Sequence, residues 1–204
     1  MDPYEYDESA GNGEFSIIAG VDEAGRGPLA GPVVAAAVVL NRNQRISGVR
    51  DSKKVPEAER EELYRMILSS GRVGVGVIDA DEIDRINILN ATKKAMYIAV
   101  SDLGTNPELI LIDALTIPGV GVRQIPIIKG DAKSASIAAA SIIAKVTRDR
   151  IMMEYHAAFP QYGFDSHKGY ATREHLECLR LHGPCPIHRK SFHPVMSQQL
   201  PFMS

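Results

Sequence analysis

Four carboxylates stand where stretches of apolar sequence stop. Asp22 and Glu23 close the apolar run over 15–21, Asp113 follows the run over 109–112, and Asp131 follows IPIIKG. Acids at the ends of successive buried elements can converge on one rim of a sheet, where the sites of α/β proteins collect. Crowded carboxylates repel, and hard divalent cations such as Mg²⁺ or Mn²⁺, which prefer oxygen ligands, offset that charge. Two such ions about 4 Å apart can clamp the attacking and leaving oxygens of a phosphodiester. Any one of these acids alone reads as a turn former or helix N-cap, Asp131 above all. An adjacent pair at the end of an apolar run is harder to explain that way.

The segment Gly25-Arg26-Gly27 follows directly. Two glycines without Cβ atoms let the backbone touch a sugar. The ribose 2′-hydroxyl, donor and acceptor at once, is what separates RNA from DNA at one position. A dinucleotide loop fits poorly: the third glycine, Gly31, is misplaced, Pro28 lacks an amide, and Asp22-Glu23 would repel a pyrophosphate. Ser52, Lys53 and Lys54 offer a hydroxyl and ammonium groups to backbone phosphates, as do Lys145, Lys168 and Arg189-Lys190. Asp149, inside a helical stretch, reads as an ion-pair partner. Cys178, His182, Cys185 and His188 lack the spacing of a zinc finger, and Pro184 and Pro186 flank Cys185, so no structural zinc is expected.

Strand and helix signals alternate around these residues. Strands are expected over 15–21, 33–40, 73–78, 109–112 and 121–128, each of strand length and bounded by turn residues. Helices are expected over 56–70, with Pro56 suited to the first turn and Leu63, Met66 and Ile67 on one face, and over 88–100. A long helix over 132–156 opens SASIAAASIIAK, small residues that allow a close approach to a sheet. A further helix is expected over 172–182. Strands uncharged in their middles, alternating with helices, indicate an α/β fold whose sheet is covered on both faces. A three-strand opening followed by helix-strand-strand-helix points to a mixed sheet.

Length and composition agree. The 204 residues, 45% hydrophobic and 24% charged, suit one globular domain. No run reaches the ~18 apolar residues of a membrane span, and the acidic start lacks a signal-peptide pattern. Two cysteines fit a reducing, cytoplasmic setting. The net charge of −2 conceals a polarity: residues 1–30 carry seven acids and one base, whereas 129–204 carry ten bases, six acids and all six histidines. A local basic face for nucleic acid is therefore possible despite the total. Residues 1–14 read as a disordered acidic tail, 15–196 as the folded domain and 197–204 as a second tail.

Several blocks resemble the ribonuclease HII family (type 2 ribonuclease H) in its bacterial form. They are GVDEAGRGPLAGPV, RDSKK, INILNAT, LIDAL, KGDAKSASIAAASIIAKVTRDR, YGFDSHKGYAT and HRKSFHPV, in order across residues 16 to 196. The resemblance implies a ribonuclease H-like fold, a central five-stranded mixed sheet flanked by helices, with a small helical C-terminal extension. It implies that Asp22, Glu23, Asp113 and Asp131 bind two Mn²⁺ or Mg²⁺ ions. The enzyme would then hydrolyse RNA in RNA–DNA hybrids and cut 5′ of ribonucleotides embedded in DNA, leaving 3′-hydroxyl and 5′-phosphate ends. Gly25, Arg26, Gly27 and Tyr170 would sense the ribose, and a monomer is expected. A catalytically idle binding module would lack the acids, and a DNA nuclease of the same fold would need no ribose sensor.

Overall fold

A computed structural model describes residues 1–49, 52 and 55–197. After helix α1 (Pro3–Ser9) come strands β1 (Ile18–Ala24) and β2 (Val33–Val39), helix α2 (Glu57–Ser70) and strand β3 (Arg72–Ile78). Helices α3 (Ala80–Ile86) and α4 (Ile88–Ser101), strands β4 (Leu109–Asp113) and β5 (Arg123–Ile127), and the long helix α5 (Ala135–Ala158) follow. Short helices α6 (Phe164–His167), α7 (Arg173–His182) and α8 (His193–Met196) form a C-terminal layer.

The strands make one mixed sheet in the order β3-β2-β1-β4-β5. β1 pairs antiparallel with β2, which pairs antiparallel with β3, while β1, β4 and β5 run parallel. Alternation along β2 decides the layers. Val33, Ala35 and Ala37 pack with α3 and α4 on one face, and Val34, Ala36 and Val38 pack with α2 and α5 on the other. Both faces of the inner strands β1, β2 and β4 are dry, which explains why these strands are apolar nearly throughout rather than alternating. None of the helices is long and apolar enough to cross a membrane, among the described residues.

The Ala/Ser-rich start of α5 does what small residues permit. A Cβ built on Gly20 of β1 would stand 2.0 Å from the Ser136 carbonyl carbon and 2.2 Å from the Ile137 nitrogen. Helix and strand therefore touch backbone to backbone just below Asp22.

Two expectations are corrected, and one element is additional to those expected. Residues 1–14, expected as a disordered tail, include α1, which is closed by a capping box between Asp2 and Glu5. Asp7 docks this helix on α5 by accepting from the Ser136 amide (2.8 Å) and hydroxyl (2.7 Å). The long helix begins at Ala135 rather than 132, capped by Ser134, whose hydroxyl accepts from Ile137 at 3.1 Å. Helix α3 was not anticipated at all.

Candidate active site

Because β1, β4 and β5 are parallel neighbours, their carboxyl ends share one edge of the sheet. Val21 pairs with Ile112, so Asp22 and Asp113 come next on adjacent strands. Asp131 lies just beyond β5, in a 3₁₀ turn over Gly130–Ala132. Asp113 is tied to that turn by accepting the Gly130 amide at 2.8 Å. With Ser134 as the cap of α5, Asp131 is not the helix cap that it resembles in sequence. Glu23 follows Asp22 and receives Arg26 in an ion pair at 3.1 Å.

Asp22 carries the electrostatic burden. It is only 6% exposed. Burial, together with the negative charges of Glu23 and Asp113, pushes its carboxyl well above the usual range, against bonds from the Glu23 amide and Ser141. The amide bond is 2.7 Å. Asp22, Glu23 and Asp113 thus stand within electrostatic reach of one another. They are turned toward protein donors, and among the described residues no three acidic, His or Cys groups are drawn together tightly enough to chelate an ion as they stand. The donor set nonetheless fits a hard divalent cation: it is all oxygen, and a positive charge would offset what makes ionised Asp22 costly.

Beside the acids opens a cavity of about 500 Å³, lined among others by Glu23, Gly25, Arg26, Gly27, Lys145 and Tyr170. The glycine segment is held in place from behind. Gly25 has φ +96°, and a Cβ there would fall 2.2 Å from Nε of Arg148. Arg148 is buried and donates to the carbonyls of Pro32 (3.0 Å), Ala30 (3.2 Å) and Lys168 (3.0 Å). Arg189, also buried, donates to the carbonyls of Gly31 (3.0 Å), Arg26 (2.9 Å) and Gly25. Burial, and then Arg148 nearby, lowers Arg189 to about 9, so it remains charged at neutral pH.

A family model for ribonuclease HII matches residues 19–195. The chain belongs to the ribonuclease HII family. It is 55% identical over 179 residues to the ribonuclease HII of Caldanaerobacter subterraneus, covering 87% of this chain and 74% of that one. To the ribonuclease HII of Acetivibrio thermocellus it is 55% identical over 188 residues, covering 92% and 73%. The crystal structure of ribonuclease H2 from Pyrococcus horikoshii superposes with a TM-score of 0.75 at 29% identity, covering 90% of this chain and 97% of that one. The fold is therefore ribonuclease H-like, and the protein is a ribonuclease H enzyme.

Within this ribonuclease HII chain the other expected contacts fall into different places. Tyr170 is 44% exposed, faces the cavity, and stands 3.9 Å from where a Cβ on Gly27 would be. Ser52 also lines the cavity, but it is buried and its hydroxyl lies 2.8 Å from that of Ser141, so it backs the Asp22 partner rather than meeting solvent. Lys168 turns its ammonium to the Asp165 carbonyl and Met153, away from the cavity lining. Lys53 lies outside the described residues. Asp149 is an ion-pair partner, of Lys145 at 2.7 Å and Arg60 at 3.5 Å.

Arg189 was expected to meet a phosphate, and its burial excludes that. Arg148 was not singled out. In sequence it stands among Lys145, Asp149 and Arg150 like a surface arginine, and burial of its head group depends on the carbonyls of Ala30 and Pro32, over a hundred residues away, and of Lys168.

Proposed function

We propose that this enzyme hydrolyses the RNA strand of RNA–DNA hybrids and incises 5′ of ribonucleotides embedded in duplex DNA, leaving 3′-hydroxyl and 5′-phosphate ends. The observation that carries this reading is the grouping of Asp22, Glu23, Asp113 and Asp131 at the carboxyl edge of three parallel strands, next to a cavity walled by Gly25-Arg26-Gly27 and Tyr170. Asp22, Glu23, Asp113 and Asp131 would hold two Mg²⁺ or Mn²⁺ ions. When bound, these supply positive charge that activates water and stabilises the departing 3′-oxygen.

The chain's own groups do the selecting. Arg189 takes the carbonyls of Gly25 and Arg26. In planar trans peptides the amides of Arg26 and Gly27 then point the opposite way. That leaves two backbone donors available for a 2′-oxygen, with no side chain at Gly27 to obstruct the sugar. Tyr170, across from Gly27, offers a ring face against which the sugar at the RNA–DNA junction can pack. Arg26 holds Glu23 in place, and Lys145 supplies positive charge on the cavity wall for the phosphate backbone.

The test compares one DNA duplex with and without a single ribonucleotide, with Mg²⁺, with Mn²⁺ and with EDTA. Incision only of the ribonucleotide duplex, only with metal, and on the 5′ side of the ribonucleotide is expected. Equal cutting of the all-DNA duplex, or cutting in EDTA, would refute the reading.

A further inference from the structure

The turn that presents Tyr170 is not held by its own preferences. Lys168 has φ +50° and Gly169 φ +83°, two left-handed residues in succession, the first with a Cβ that disfavours that region. Three histidine rings surround this turn. His175 and His188 are fully buried, and His167 stacks on His175 with centroids 4.5 Å apart and planes within 12°.

Their hydrogen bonds favour one assignment of protons. Nδ1 of His188 lies 2.9 Å from the Cys185 amide, 3.1 Å from the Cys185 sulfur and 3.3 Å from the Cys185 carbonyl oxygen; the amide hydrogen, the shortest of these contacts, points at Nδ1 and leaves that nitrogen bare. In a neutral ring the proton then sits on Nε2, which lies 3.0 Å from Nε2 of His175. The receiving nitrogen must be bare in its turn, which places the His175 proton on Nδ1, 2.9 Å from the Tyr170 carbonyl oxygen. Independently, the Gly169 amide donates to Nδ1 of His167 at 3.2 Å, so Nε2 of His167 donates to the Tyr162 carbonyl at 2.7 Å. A proton added to His188 would face the Cys185 N–H, and one added to His175 would face the His188 N–H.

We infer that His188 and His175 form a one-directional chain of neutral imidazoles, Cys185 N–H to His188 to His175 to the Tyr170 carbonyl, which fixes where Tyr170 stands. They are positioning residues, acting on substrate only through Tyr170, and the inference rests on the reading of Tyr170 as the sugar's platform. Burial, which lowers His175 and takes His188 to about 4, agrees with neutral rings. The Thr172 amide also donates to the Tyr170 carbonyl, at 2.8 Å, so the chain supplies the second of two bonds on that oxygen.

Two measurements test this. Long-range ¹⁵N–¹H NMR of the imidazoles in the full chain should show His188 protonated at Nε2 and His175 at Nδ1 at neutral pH. The opposite tautomers, or an imidazolium, would overturn the chain whether or not any variant folds. In kinetics on a duplex with one ribonucleotide, His175→Asn, whose amide sits near the place of Nδ1, should stay within about threefold of wild type, whereas His175→Gln should lose about tenfold in kcat/KM, the equivalent of one hydrogen bond. In a Tyr170→Ala background His175→Gln should add nothing. Additive losses would overturn the positioning role alone. Wild-type kinetics for Tyr170→Ala would overturn the platform reading and the positioning role together.

Discussion

Asp22→Asn should make this enzyme more stable while removing its activity. The side chain is 6% exposed and faces the charges of Glu23 and Asp113. Asparagine keeps an oxygen that can accept the Glu23 amide at 2.7 Å and removes the charge, while its new NH2 group can donate to the Ser141 hydroxyl, which accepts as well as donates. A like charge a few ångströms away, at an effective dielectric of ~20, raises the energy by on the order of 1–4 kcal/mol. Arg26 beside Glu23 and the open cavity screen part of this, which leaves a net gain of about 1–3 kcal/mol in the absence of metal. For a chain of this length, that is a rise in Tm of roughly 2–12 °C. Thermal unfolding in EDTA measures it directly. Wild type should then gain on adding Mg²⁺ or Mn²⁺, by about 2.7 kcal/mol at a hundredfold excess over Kd, and Asp22→Asn should respond little. An Asp22→Asn protein less stable than wild type in EDTA would refute the claim that repulsion and burial dominate at this edge.

Other outcomes follow from the same geometry. Gly20→Ala would force backbone atoms of β1 and α5 apart from a 2.0 Å overlap, so a loss of about 3 kcal/mol or more is expected in urea unfolding; a loss below about 1 kcal/mol would mean that the helix is not seated as described. Acid should weaken the C-terminal layer through His188. Its folded value, about 4, lies below the ordinary 6.5, so its contribution is complete above 6.5 and disappears as pH falls towards 4. This is on the order of 3 kcal/mol, read as the stability difference between wild type and His188→Gln at pH 7.5 and pH 4.5, and a difference independent of pH would contradict it. Tyr170→Ala should lower kcat/KM on single embedded ribonucleotides by about 10–100-fold, the value of losing one aromatic packing surface. Unchanged kinetics would remove Tyr170 from the site.

Much of this was legible in the sequence because the signals were local. Strands that must be dry on both faces read as uninterrupted Val/Ala/Ile/Leu, and an acid at the end of such a run is visible without knowing the fold. Helix α1 carried a local signal too, Asp2 with Glu5 three residues on and Pro3 between, but its acidic composition masked the capping box. Helix α3 holds few apolar residues and is divided from α4 at Asn87, whose φ of +64° no glycine or proline announces. The position of α5's first turn turned on which of Asp131 and Ser134 caps it, and both are good caps. Burial of Arg148 and Arg189, and the proton order among the histidines, depend on partners distant in sequence. No local pattern encodes them.

The central claim, that three acids from the parallel strands β1 and β4 and a fourth from the turn after β5 hold two divalent ions, is tested most directly by counting Mn²⁺. Electron paramagnetic resonance of the protein with a ribonucleotide-containing duplex, under conditions that prevent turnover, should show two Mn²⁺ per wild-type chain and fewer in Asp22→Asn and Asp113→Asn. Two Mn²⁺ retained with wild-type affinity in both variants would contradict it.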